Sequence, residues 1–168
     1  MDGPESLNQN AHDMNAPLHI VLYQPEIPPN TGNIARLCAC TGCQLHLIHP
    51  LGFTLDEKQV RRAGLDYWEH LEVVEHPDWE SARETLGEKR NWYALSTKAN
   101  RLTWDVQFSH GDVLVFGPET RGLPANILKE ISPVRLSMRN DAPVRSLNLS
   151  SACSAVLYEA LRQIHITK

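Results

Sequence analysis

Apolar and polar positions along this chain alternate in blocks, and the block lengths predict an α/β fold. Short apolar runs at His19–Tyr23, Gln44–Ile48, Glu72–Glu75, Asn91–Ser96, Asp112–Phe116 and Val134–Leu136 read as strands. Between them lie stretches with helical spacing. Thr31 is placed to cap a helix running to about Thr41 and stopped by Gly42. Asp56–Ala63 reads as helical, and Asp78–Glu88 as an amphipathic helix with an acidic first turn. Pro124 opens a helix to Ile131. A final helix covers Leu149 to Ile164, where Leu149, Cys153, Val156 and Ala160 recur at helical spacing and Leu157, Leu161 and Ile164 widen the stripe. Gln24–Asn30 carries Pro25, Pro28 and Pro29 and reads as a loop. Strands alternating with helices predict a parallel sheet covered on both faces. Ligands of such sheets bind beyond the carboxyl ends of the strands. The loops after Tyr23, Ser96, Phe116 and Leu136 are therefore the candidate site.

Composition narrows the class. The 168 residues suffice for one core-bearing domain. Residues 1–17 are polar and rich in Asn, Asp, Gly and Pro, and read as a disordered tail ahead of one domain over 18–168. That segment has no Lys or Arg and no apolar centre, unlike a secretion signal. No apolar run approaches the roughly 18–20 residues that span a bilayer. The formal charge of −4 excludes a globally basic nucleic-acid binder but leaves room for a local basic patch. Cys38, Cys40, Cys43 and Cys153 form no disulfide framework, so a reduced, cytoplasmic protein is expected. Cys38 and Cys40 lie two apart on a predicted helix and diverge, which argues against a metal site.

Three stretches carry candidate chemistry. Gly117-Pro-Glu-Thr-Arg-Gly-Leu-Pro124 is a stiff, sharply turned loop bearing Glu119 and Arg121. Pro25 to Arg36 is a stiff loop feeding a helix start, with Asn30 in the loop and Arg36 about one turn into the helix. Arg145-Ser-Leu-Asn-Leu-Ser150 leads into the last helix, where Ser146 and Asn148 suit capping as well as ligand binding. Each stretch alone is compatible with a plain connection. The chain has no Walker loop, no GxGxxG and no GxSxG elbow. Modest basic clusters occur at Lys58/Arg61/Arg62, Lys98/Arg101 and Arg135/Arg139/Arg145.

Taken together and in order, Asn30-Thr-Gly-Asn-Ile-Ala-Arg36, Gly117–Pro124 and Ser146–Ser150 followed by Tyr158-Glu-Ala resemble the SPOUT superfamily of RNA methyltransferases, the α/β-knot enzymes. The resemblance covers His19 to about Ile164. Leu22–Asn33 and Arg61-Arg-Ala-Gly-Leu-Asp-Tyr67 are similar to the small tRNA wobble-nucleotide 2′-O-methyltransferases, the TrmL type.

The resemblance implies a parallel α/β sheet with a C-terminal trefoil knot, a homodimer, and S-adenosyl-L-methionine as methyl donor. It implies as substrate the ribose of the wobble nucleotide, cytidine or modified uridine 34, in the anticodon stem-loop of leucine tRNAs. It implies cofactor contacts at Leu95, Gly117, Leu136, Ser146 and Asn148. Arg36 takes the catalytic position, supported by Asn30 and Glu119, while Arg121, Arg145 and Tyr158 fall at tRNA-contact or dimer positions. A guanidinium is a poor base, so positioning of the reacting hydroxyl is the expected role of Arg36. The alternatives are 2′-O-methylation at another tRNA position or in ribosomal RNA, and a non-catalytic RNA- or nucleotide-binding module. An acidic, minimal catalytic domain acting on tRNA would have to gather its few arginines around one groove shared by two subunits.

Overall fold

The computed structural model describes residues 15–55, 62 and 71–166. Its elements in chain order are β1 (Leu18–Tyr23), α1 (Pro28–Thr41), β2 (Gln44–Ile48), β3 (Val73–His76), α2 (Trp79–Leu86), β4 (Trp92–Leu95), a 3-10 turn (Thr103–Asp105), β5 (Asp112–Phe116), α3 (Ala125–Glu130), β6 (Ser132–Val134) and α4 (Leu149–Ile166). The strands form one sheet in the order β3-β2-β1-β5-β4-β6, and every pairing is parallel. The sequence expectation of a parallel α/β sheet is met. Among the described residues, no helix is long and apolar enough to cross a membrane.

Strand alternation divides the core between the two faces. Ile20, Leu22, Leu45, Leu47, Leu114 and Phe116 pack with Ile34, Ala35 and Cys38 of α1 and with Cys153, Val156, Leu157, Ala160, Leu161 and Ile164 of α4. Val21, Ile48, Val113, Val115 and Ala94 pack on the other side with Trp79, Ala82 and Leu86 of α2 and with Ile127 and Ile131 around α3. Gln163 holds α4 in place: its amide donates to the Val106 carbonyl (3.0 Å) and accepts from the Phe108 N–H (2.8 Å). Chain order reverses between β1 and β5, whose neighbours β2 and β4 lie on opposite sides. A parallel sheet opens a ligand crevice at such a reversal, at the carboxyl ends of its strands.

Several boundaries differ from the sequence expectation. Helix α1 begins at Pro28, not at Thr31, with Ile27 at its cap position. Prolines that read as breakers occupy the first helical positions, where a missing N–H has no partner to lose. Asn30 and Thr31 therefore lie inside the first turn and are buried. Arg36 consequently sits two turns into the helix rather than one. Pro124 is the cap of α3 rather than its first residue. Strand β6 ends at Val134 and takes in Pro133, which an edge strand tolerates. Leu136 thus lies beyond the strand. Helix α4 continues to Ile166. The expected helix over Asp56–Ala63 lies outside the described residues except for Arg62.

Candidate functional site

Three segments meet at the carboxyl edge of the sheet. The first leaves β1 through Gln24, a non-glycine residue at φ 47°. Its N–H donates to the Ile48 carbonyl (3.0 Å), and its side-chain oxygen accepts from Arg121 Nη2 (3.2 Å). Such a left-handed residue costs about 1 kcal/mol, offset here by bonds at both ends. The second segment leaves β5 at Gly117. A Cβ at Gly117 would lie 2.5 Å from the Leu123 nitrogen and 2.6 Å from the Gly122 carbonyl carbon. The loop folds back on itself so tightly that only glycine fits there. Gly122, at φ 69°, completes the reversal and donates its N–H to the Pro118 carbonyl (2.9 Å).

These two segments exchange hydrogen bonds through a pair of carboxylates. Glu119 accepts from the backbone N–H of Glu26 (2.8 Å) and of Ile27 (3.1 Å). Glu26 in return accepts from the Thr120 N–H (3.0 Å) and hydroxyl (2.8 Å). The Thr120 donors hold the Glu26 carboxyl below its ordinary range. Glu119 also places negative charge at the start of α1, where free N–H groups favour it. The third segment joins through Asn30 and Asn148. Asn148 Nδ2 donates to Asn30 Oδ1 (3.0 Å), and Asn30 Nδ2 reaches Glu119 Oε1 at 3.5 Å. Asn148 Oδ1 accepts from the Ser150 N–H (2.9 Å) and thereby caps α4. Glu119, Asn30 and Asn148 thus form one polar chain across all three sequence stretches.

Leu95, Gly117 and Leu136, by contrast, line successive strand ends. Register pairs Leu95 with Phe116, the residue before Gly117, on one side and with Val134, two residues before Leu136, on the other, so the three positions lie at or just past the ends of neighbouring strands. All three are half-buried. Arg135, beside Leu136, has its Nε buried without a hydrogen-bond partner among the described residues. Ser146 is exposed in the segment leading to Asn148 and does not cap the helix. Arg36 is exposed on α1, in a solvent-facing stripe with Pro29, Asn33 and Cys40. Arg121, Arg145 and Tyr158 are exposed as well. Arg139 pairs with Asp141 (2.7 Å). Sequence reasoning missed Glu26, the return half of the carboxylate exchange. Its acidic side chain beside Pro25 was the available signal, but the partner Thr120 is 94 positions away.

Among the described residues no group of three or more His, Cys, Asp or Glu side chains is arranged to hold a metal ion. Cys38 is buried and Cys40 exposed, as their helical spacing predicted.

Comparison with known proteins finds relatives over most of the chain. The tRNA (cytidine(34)-2′-O)-methyltransferase of Saccharophagus degradans is 54% identical over 149 residues, covering 87% of this chain and 95% of the relative. A solved structure bearing on the 2-OH methylation of C/U34 on tRNA superposes with a TM-score of 0.83 at 45% identity, covering 87% of this chain and 95% of its own. The SpoU methyltransferase AviRb of Streptomyces viridochromogenes, solved in complex with the cofactor AdoMet, superposes with a TM-score of 0.74 at 25% identity. It is matched over 86% of this chain and 57% of its own. The sequence profile of the SpoU rRNA methylase family matches residues 17–158, and the chain belongs to that family.

Proposed function

We propose that this methyltransferase acts on the 2′-hydroxyl of the wobble nucleotide, cytidine or modified uridine 34, in the anticodon stem-loop of leucine tRNAs. The observation that carries the reading is the chain of Glu119, Asn30 and Asn148, which ties the three sequence stretches into one site beside the strand ends. High identity to relatives named for cytidine 34 supports the choice of nucleotide.

S-adenosylmethionine is the methyl donor; when bound it supplies an electrophilic methyl on a sulfonium leaving group. The residues fit it. Leu95 and Leu136 offer apolar cover at adjacent strand ends, Gly117 allows close backbone approach, and the buried Nε of Arg135 is a donor suited to a carboxylate. Ser146 and Asn148 would close the remaining side.

Arg36 acts on the substrate side. A guanidinium only donates hydrogen bonds, so in this reading it orients the ribose hydroxyl for in-line attack. The hydroxyl would give up its proton to a substrate phosphate or water and gain the methyl, whose bond to the sulfonium breaks to leave a neutral thioether. Asn30 and Glu119 hold the start of α1 and so aim the helix that carries Arg36. Arg121, Arg145 and Tyr158 contact tRNA or a second subunit. A homodimer is supported by the exposed apolar side chains Ile27, Val144 and Leu147, on the segments that build the site, and Tyr158 on α4. A C-terminal trefoil knot over the domain 18–168 and a cytoplasmic location complete the reading.

The test is methyl transfer from labelled cofactor to an unmodified leucine tRNA transcript, with the labelled nucleotide mapped. Label should fall on ribose 34. Arg36→Ala should lose about 100-fold or more in rate while cofactor binding is retained. Label at another nucleotide, or none on any tRNA, would overturn the assignment.

A further inference from the structure

The 3-10 turn Thr103–Asp105 is used by nothing described so far. Trp104 at its centre is 68% exposed, the most exposed large apolar side chain among the described residues. The turn that presents it is firmly held. Leu102 pairs with Arg135 beyond the end of β6. The Thr103 N–H donates to the Arg135 carbonyl (2.9 Å), and the Arg135 N–H donates to the Arg101 carbonyl (2.9 Å). Thr103 and Val106 are buried on either side of the exposed ring. Arg101 Nη2 donates to the Asp105 carbonyl (3.3 Å), which fixes a guanidinium to the same turn.

The surroundings distinguish what would cover this ring. Asn100, Arg101, Asp105 and Gln107 are all exposed and polar, so the exposed neighbours of Trp104 along the chain are polar, unlike the apolar centre of a protein–protein contact. Lys98 and Arg101 outnumber the single acid Asp105 along the segment. A rigid aromatic face with cations beside it is how proteins hold unpaired nucleic-acid bases: the ring stacks on the base and the cations meet its phosphates. The segment leaves β4 directly after Leu95 and returns to the sheet beside Arg135, so it borders the proposed cofactor side of the site.

We infer that Trp104, with Arg101 fixed to the same turn and Lys98 earlier in the same segment, is a stacking platform for an unpaired base of the RNA substrate. This rests on the RNA-methyltransferase reading above and names a substrate-binding residue for it. Trp104 is a binding residue here, with no part in the methyl-transfer step.

Trp104→Ala and Trp104→Phe are compared with wild type in steady-state methylation of a synthetic anticodon stem-loop. Loss of one stacked base predicts that Trp104→Ala raises KM for RNA about 10-fold, with kcat and cofactor affinity within about 2-fold. Trp104→Phe, which keeps an aromatic face, should recover most of that loss. Fluorescence quenching on titrating the same RNA should be present in wild type and much reduced in Trp104→Phe. An unchanged KM in an active, folded Trp104→Ala would overturn the inference. So would a change of oligomeric state, which would place the ring between protein copies. If wild type methylates no RNA, the functional reading fails instead. Quenching by single-stranded RNA then still decides the platform, and its absence overturns it.

Discussion

The two sides of the site are built differently. The side formed by the β1 and β5 loops is cross-braced: Glu119 takes two backbone N–H groups of the other loop, and Glu26 takes the N–H and hydroxyl of Thr120 in exchange. The side formed by residues 139–148 is open. All of it except Ala142 is exposed, and its internal ion pair joins Arg139 to Asp141, two residues away. A braced loop is formed before a ligand arrives, whereas an open one gains its order from what binds it. The only side-chain link from the open side to the braced one is made by Asn148 to Asn30, among the described residues. The fixed side therefore suits the shared chemistry, and the open side suits closure over cofactor, RNA or a second subunit.

The largest test of this contrast is Gly117→Ala. The new methyl would meet backbone atoms at 2.5 and 2.6 Å, so the reversal must open. A stability loss of about 3 kcal/mol or more is expected, with loss of cofactor binding, measured by thermal unfolding and calorimetry. A next, smaller effect separates the two ends of the polar chain. Glu119→Gln keeps the shape but loses charge-assisted bonds to two N–H groups and should cost about 2 kcal/mol. Asn148→Ala removes only the link and one cap and should cost about 1 kcal/mol. Equal losses in the two variants would break the proposed asymmetry.

The smallest effect sets the brace apart from the sheet below it. His19, His46 and His76 form a buried line across β1, β2 and β3, with ring nitrogens 3.1 and 3.0 Å apart. Burial, with Arg90 next, depresses His19 to about 4, and burial also lowers His46 and His76. A histidine whose folded value lies below its unfolded value of 6.5 stabilises the fold above 6.5 and loses that contribution as pH falls towards 4. Acidification from pH 7 to 5.5 should therefore cost about 1 kcal/mol from His19 alone. The Glu26 carboxyl, held below its ordinary range, stays ionised there. Denaturant melts against pH, in wild type and His19→Gln, measure this.

Much of this was legible in the sequence because it rests on local pattern. Apolar runs marked five of the six strands and touched β6 only at Val134, and three motifs marked the loops. What escaped depended on position in space. Pro28 and Pro29 looked like loop residues because a proline that opens a helix and one that breaks it are the same residue until the cap is known. The Glu26–Thr120 exchange needs two residues 94 apart to be neighbours, which follows only from the pairing of β1 with β5. The histidine line was equally hidden. His19, His46 and His76 each sit singly in a strand, and only the register of three strands brings them into contact.

One consequence of the exposed stripe on α1 is chemical. Burial raises the Cys38, Cys43 and Cys153 thiols above their ordinary range and keeps them protonated and unreactive. Cys40, one turn beyond Arg36, is the exposed one of the four. The native protein therefore carries a single exposed thiol one helical turn from the proposed catalytic arginine. A thiol-directed dye placed there needs no engineered cysteine, and its rate of attachment would report when RNA or a second subunit covers that face.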